Sequence, residues 1–236
     1  MKRKSLAGKM LLAGIALVAA AGATQAAQQN WATTVTQTDG GHTIGNPNAP
    51  VKLTEYVSYT CSHCAAFARE GEDTLKLAYV SPGKLKLEIR HMLRDPIDLT
   101  AAMLTNCGDP AKFPLNHSAF MLSHTQWMSI ASRTTSAQRA RWSTGDSATR
   151  RRAIASDLGF YDIMEQRGYS RSEADVCLAN EAKANSLADT SKRDWALPGM
   201  EGTPSFAVNG RLLANTHSWP ALEEALKTRI SASTSQ

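Results

Sequence analysis

The sequence predicts an α/β domain whose core is interrupted by an all-helical subdomain. Three observations carry that reading. A strand-like run at 51–58 is followed by two cysteines, a helical run and a second alternating run, the order of a parallel β-α-β crossover. From 99 to about 188 there is little strand signal. Strand signal then returns in "TPSFAVNGRLL".

The chain opens on "MKRKSLAGK", which holds Lys2, Arg3, Lys4 and Lys9 and no acid, followed by an apolar run at 10–23. Thr24 and Ala26 supply small residues before a cut. Basic start, short apolar run and small-residue exit describe a cleaved secretory signal over 1–26. The run is short for a membrane anchor. The whole chain has 26 basic and 21 acidic residues, a net charge of +5. Without the four bases of the signal, 22 oppose 21. The basic pI is therefore a targeting feature and argues for no nucleic-acid or membrane-surface partner.

Residues 27–45 read as a polar leader with a short edge strand at 31–36. Val51, Leu53, Val57 and Tyr59 then favour a strand. Phe67, Leu75, Ala78 and Tyr79 recur at helical spacing, so a helix is expected over 63–80, with a weak point at Gly71. Leu85, Leu87 and Ile89 alternate with Lys86, Glu88 and Arg90, a period-two strand. Four to six helices are expected in the insertion, one of them opening near Ser172. Ser205–Val208 is a short strand and Asn209–Gly210 the strongest hairpin signal in the chain. Leu222, Ala225, Leu226 and Ile230 form the apolar stripe of a closing helix, with Pro220 in its first turn. The divisions expected are 46–98 and 191–230 for the two halves of the core, 99–190 for the insertion and 231–236 for a frayed tail.

Cys61 and Cys64 in "YTCSHCAAF" could bind a metal, staple a loop or exchange electrons. A zinc or iron–sulfur site needs about four ligands, and no second pair at ligand spacing is visible. A disulfide over two intervening residues restrains little of the unfolded chain. A strand-to-helix junction, in contrast, offers unpaired backbone N–H groups and the positive end of the helix dipole, which stabilise a thiolate. Redox chemistry is therefore the expectation, with Cys61 as an exposed nucleophile and Cys64 as a more buried resolving thiol. His63 either supplies a hydrogen bond or positive charge near the Cys61 sulfur or faces solvent.

With these residues in view, the chain resembles the thioredoxin superfamily, and within it the DsbA-like thiol–disulfide oxidoreductases of the bacterial envelope. The resemblance rests on the strand followed by "CSHC", the helical insertion, "GTPSFAVNG" and the export signal, and covers roughly 45–230. It implies a thioredoxin-like fold and a periplasmic oxidase of folding proteins that needs no bound cofactor. A membrane quinone-coupled partner would reoxidise it, and a monomer is expected. It also implies that Pro204 is the cis-proline facing the cysteines, that Thr203 offers backbone groups to an extended substrate, and that Glu55, six residues before Cys61, is a buried acid beneath the site. Ser62 stands where the family's best-known oxidase has proline and Thr203 where it has valine, so the redox potential does not carry over. An isomerase or reductase of the same fold, or a non-catalytic chaperone or binding module, are the rival readings.

Cys107 and Cys177, 70 residues apart, leave a disulfide, two buried thiols or a second redox centre open; export and the extra disulfide of some DsbA-like proteins favour the disulfide. The run Arg150–Arg152 reads as a solvated helix face, and Trp127, Trp142 and Trp195 as packing residues.

Overall fold

The structure, a computed structural model, describes residues 29–233. The signal expected at 1–26 and the last three residues of the tail lie outside the described residues. Six strands form one sheet in the order β1-β2-β4-β3-β5-β6. Its centre is β3 (Val51–Val57), paired in parallel with β4 (Leu85–His91) and antiparallel with β5 (Ser205–Val208). A strand with partners on both edges and helices over its faces must be apolar nearly throughout. In β3 every residue but Lys52 is buried.

The segment expected as a polar leader departs from that expectation. Residues Trp31–Thr33 make one 3-10 turn, and β1 (Val35–Thr38) and β2 (Gly41–Ile44) form a hairpin whose second strand pairs with β4. The hairpin is short and mostly polar, which hid it, but it buries His42 and Ile44. Gly41 is needed there because a Cβ would lie 1.8 Å from the Ile89 carbonyl oxygen.

The helix expected over 63–80 runs over 62–80 and is not uniformly α. Two α stretches, α1 (Ser62–Phe67) and α2 (Asp73–Leu75), alternate with π turns at Ala68–Glu72 and Lys76–Val80. The expected weak point at Gly71 is a close approach. A Cβ there would stand 2.5 Å from the indole of Trp219, the first residue of α11 (Trp219–Ser233). On the same side Phe67 packs on Phe206, ring centres 4.8 Å apart, which seats the helix on β5.

The insertion holds eight helices among the described residues, more than the four to six expected. They are α3 (Pro96–Thr105), α4 (Phe113–Leu122), α5 (His124–Ser132), α6 (Ser136–Arg141), α7 (Ser147–Asp157), α8 (Phe160–Gln166), α9 (Arg171–Leu178) and α10 (Glu181–Trp195). Side-chain caps cut the helical pattern into these pieces: Asp95 at α3, Thr135 with Gln138 at α6, Asp146 at α7, Ser170 with Glu173 at α9 and Asn180 at α10. The helix expected to open near Ser172 therefore starts at Arg171, behind the Ser170 cap. Phe120, Trp127 and Phe160 meet edge to face at the centre of this subdomain. Cys107, just after α3, is bonded to Cys177 in α9, with Cα atoms 5.6 Å apart. Closing a loop of that length is worth about 4 kcal/mol on the chain-entropy model.

After β5 the chain turns through Asn209 and Gly210, both at positive φ (48° and 81°), and returns as β6 (Arg211–Leu212). Two successive residues at positive φ suit a hairpin turn whose twist matches its strands, which is why Asn-Gly signals it.

Candidate active site

The site forms where β3 ends and α1 begins. Cys61 is the N-cap of α1, in extended conformation (φ −93°, ψ 117°), and its carbonyl takes the first helical hydrogen bond, from Ala65 N–H. No side chain caps the helix, so the Cys61 sulfur faces its free N–H groups. Its pKa is lowered to about 5. The largest cause is the Cys64 thiol donating to the thiolate; burial opposes it, and the Thr203 side chain and the backbone N–H groups of Cys64 and His63 add to it. The neutral thiol points elsewhere, donating to the Thr203 carbonyl at 3.1 Å. Thr203 thus partners both protonation states, its carbonyl the thiol and its side chain the thiolate.

Cys64 is pushed the other way. Burial raises its pKa well above an ordinary thiol, and the Cys61 sulfur and Glu55 raise it further. Both thiols are free in this structure. The environments therefore leave one sulfur ionised at neutral pH and hold the proton on the other. That division suits thiol–disulfide exchange, because the low-pKa thiolate is also the better leaving group.

One expectation needs correcting. Cys61 is not exposed; only 4% of its surface reaches solvent. The Thr203 carbonyl lies against the sulfur, and Thr203 is joined by a cis peptide bond to the buried Pro204. The Pro204 carbonyl is held in turn by the His217 ring at 2.7 Å. This cover comes from 142 residues away, so the local pattern around Cys61 does not signal it; the expectation of Thr203 and Pro204 here came only from the family resemblance.

The other expected residues divide. Ser62 and His63 are exposed, and His63 reaches Cys61 through its backbone N–H. The histidine whose ring faces the Cys61 charge is His124, at the start of α5, which also hydrogen-bonds the Thr60 backbone; burial lowers its pKa. Glu55 lies mid-strand opposite Ile89 and Phe206, 2% exposed, with Oε2 unpartnered. Its pKa is raised to about 8, first by burial and then by Glu72, with Lys76 opposing. Glu72 is spoken for by Lys76 Nζ at 2.6 Å and the Ser118 hydroxyl at 3.3 Å. Cys107 and Cys177 stay in the insertion.

Asp98 is the residue that sequence reading missed. It lies on α3, yet accepts from the Ser58 hydroxyl at 2.5 Å and the Tyr59 N–H at 2.8 Å. Asp95, the cap of α3, accepts from the Thr60 hydroxyl at 2.9 Å. The insertion thereby pins the three residues before Cys61. Burial raises the Asp98 pKa to about 7 against these hydrogen bonds. Nothing in "RDPIDL" signals contact with the cysteine loop.

The family model for thioredoxin matches residues 37–228. The chain belongs to the thioredoxin family. A structure of a protein-disulfide isomerase from Novosphingobium aromaticivorans is 48% identical, covers 82% of this chain and 99% of its own, and superposes with a TM-score of 0.78. Wolbachia pipientis alpha-DsbA1, at 18% identity and a TM-score of 0.65, covers 80% of this chain and 90% of its own and shares the fold. A Rickettsia conorii protein provisionally named a protein-disulfide oxidoreductase is 27% identical over 173 residues, 73% of this chain and 54% of its own. The chain thus spans about half the length of the curated relatives it matches. The thioredoxin core with its α3–α10 insertion is the DsbA-type arrangement. No helix among the described residues is long and apolar enough to cross a membrane, and no cluster of three or more His, Cys, Asp or Glu among them could hold a metal.

Proposed function

We propose that this protein is an exported thiol:disulfide oxidoreductase that donates the Cys61–Cys64 disulfide to folding polypeptides in the periplasm. The observation that carries this reading is the opposed tuning of the two thiols, Cys61 lowered to about 5 and Cys64 raised. A substrate thiolate attacks Cys61 Sγ of the oxidised pair. The S–S bond breaks and Cys64 leaves, taking a proton for which neighbouring Glu55 is the donor at hand. A second substrate thiolate then attacks the substrate sulfur of the mixed disulfide and releases Cys61 as a thiolate. The substrate has lost two electrons, the pair has gained them, and no bound cofactor is needed. A membrane quinone-coupled partner is the proposed reoxidant, and the basic, apolar segment at 1–26 the export signal.

The isomerase reading has one observation in its favour, the name borne by the relative at 48% identity. The two separate on substrate. The oxidised protein, mixed with a reduced two-cysteine peptide, is expected to form the peptide disulfide and leave its own pair reduced. It is expected to be slow at rearranging a scrambled, fully oxidised protein. Efficient rearrangement by the reduced form, with little peptide oxidation by the oxidised form, would favour the isomerase.

A further inference from the structure

We propose that a cleft beside the Cys61 loop docks an acidic segment, bearing apolar side chains, of the polypeptide whose thiols react at Cys61. The inference rests on the exchange chemistry proposed above and adds a preference among its substrates. The cleft encloses about 430 Å³ between the β4–α3 connection and α7. Leu93, Leu99, Trp142 and Ile154 supply its apolar lining, and Arg94 and Arg150 stand with them.

The charge balance of this cleft is net positive, with Arg94 and Arg150 against one acid. Its acid, Asp95, is engaged by Thr60 Oγ1 at 2.9 Å and the Asp98 N–H at 2.8 Å. Arg151, expected on a solvated face, is instead buried, donating to the Leu178 carbonyl and pairing with Glu181. Arg94 is exposed, and its guanidinium has no partner among the described residues. Arg150 makes one long hydrogen bond, Nε to the Asp146 carbonyl at 3.4 Å, and its charge also acts on the exposed Asp146 carboxylate. Two cations beside an apolar lining attract a carboxylate flanked by apolar groups and repel a basic segment.

The cleft is also preformed. Leu93 N–H donates to Ser191 Oγ at 2.7 Å, and the Leu93 carbonyl accepts from the Trp195 indole at 3.3 Å. Arg94 N–H donates to Asp98, the same carboxylate that holds Ser58 and Tyr59. Little ordering is then left to oppose binding. Asp95 joins the cleft to Thr60, the residue before Cys61. A chain reacting at Cys61 can therefore lay a flanking segment along it, which is why a polypeptide is the occupant argued for.

The test uses the full chain and two peptides with serine in place of every cysteine. One carries glutamates among leucines, and the other is identical but with glutamine for glutamate. Exposed charge pairs are individually weak, so two of them amount to roughly fivefold tighter binding of the glutamate peptide. That preference is expected to fall to about onefold in R94S/R150S, and to fade in the native protein as salt is raised. Equal affinities in the native protein, or a preference that survives in R94S/R150S, would overturn the docking proposal. The peptides have no thiol, so the readout is independent of whether Cys61 oxidises anything. Oxidation of a dithiol version of the glutamine peptide tests that separately.

Discussion

Replacing Cys61 by serine is expected to lower the rate of dithiol-peptide oxidation on the order of a thousandfold or more, to background. The exchange step needs a sulfur that both accepts the substrate thiolate and leaves again as a thiolate, and a hydroxyl does neither. Serine is close to cysteine in size and can keep the hydrogen bond to the Thr203 carbonyl, so the fold should survive. The companion Cys64→Ser variant, mixed with an oxidised substrate, should instead accumulate a covalent mixed disulfide through Cys61, visible on a non-reducing gel. If Cys61→Ser oxidised or assisted substrates as well as the native protein, the catalytic reading would give way to a binding module that has kept the fold.

Glu55 carries the second large effect, on stability. Its pKa is about 8 in the folded protein against an ordinary value of 4.5. Between those values the folded protein keeps a proton that the unfolded chain has already lost. Stability therefore falls as pH rises from about 4.5 to about 8, and the penalty is absent below that window. At pH 7 it amounts to roughly 3 kcal/mol. Glu55→Leu, which places a side chain of similar size in the same buried position, is expected to recover most of that at pH 7 and little at pH 4. Urea unfolding across that range measures it, and parallel pH profiles for the two proteins would contradict a buried, protonated Glu55. The same variant should slow the exchange, because the proton held close to Cys64 is gone. Stability given up at a buried acid in the site is the pattern expected where function and folding compete.

The chemistry of the site was more legible in the sequence than its setting. Cys61 and Cys64 are close in sequence, and a strand followed by a helix announces an N-terminal turn from local pattern alone. Asn209–Gly210 was equally readable, because the turn needs positive φ at both positions. Glu55 was expected only from the family resemblance, because its burial depends on β4 and β5 pairing on either side. What stayed hidden was set by tertiary contact. The pinning of the Cys61 loop comes from Asp95 and Asp98, and the facing imidazole from His124 rather than adjacent His63. Each arrives from the insertion or beyond it, and none has a local pattern that points back to the cysteines. The inward turn of Arg151 was hidden for the same reason, since its partners Leu178 and Glu181 belong to other helices.

The direction of electron flow turns on the stability of the reduced pair. A Cys61 thiolate supported by Cys64, Thr203 and the backbone N–H groups of the first turn favours the reduced pair, and the proposed function requires that this support be large enough to make the disulfide a strong oxidant. Equilibrating the pair with glutathione buffers of known ratio measures this. A potential well above that of thioredoxin (about −270 mV) and toward that of a strong oxidant such as DsbA (about −120 mV) is expected. A value at or near thioredoxin's would contradict it and make this protein a reductant.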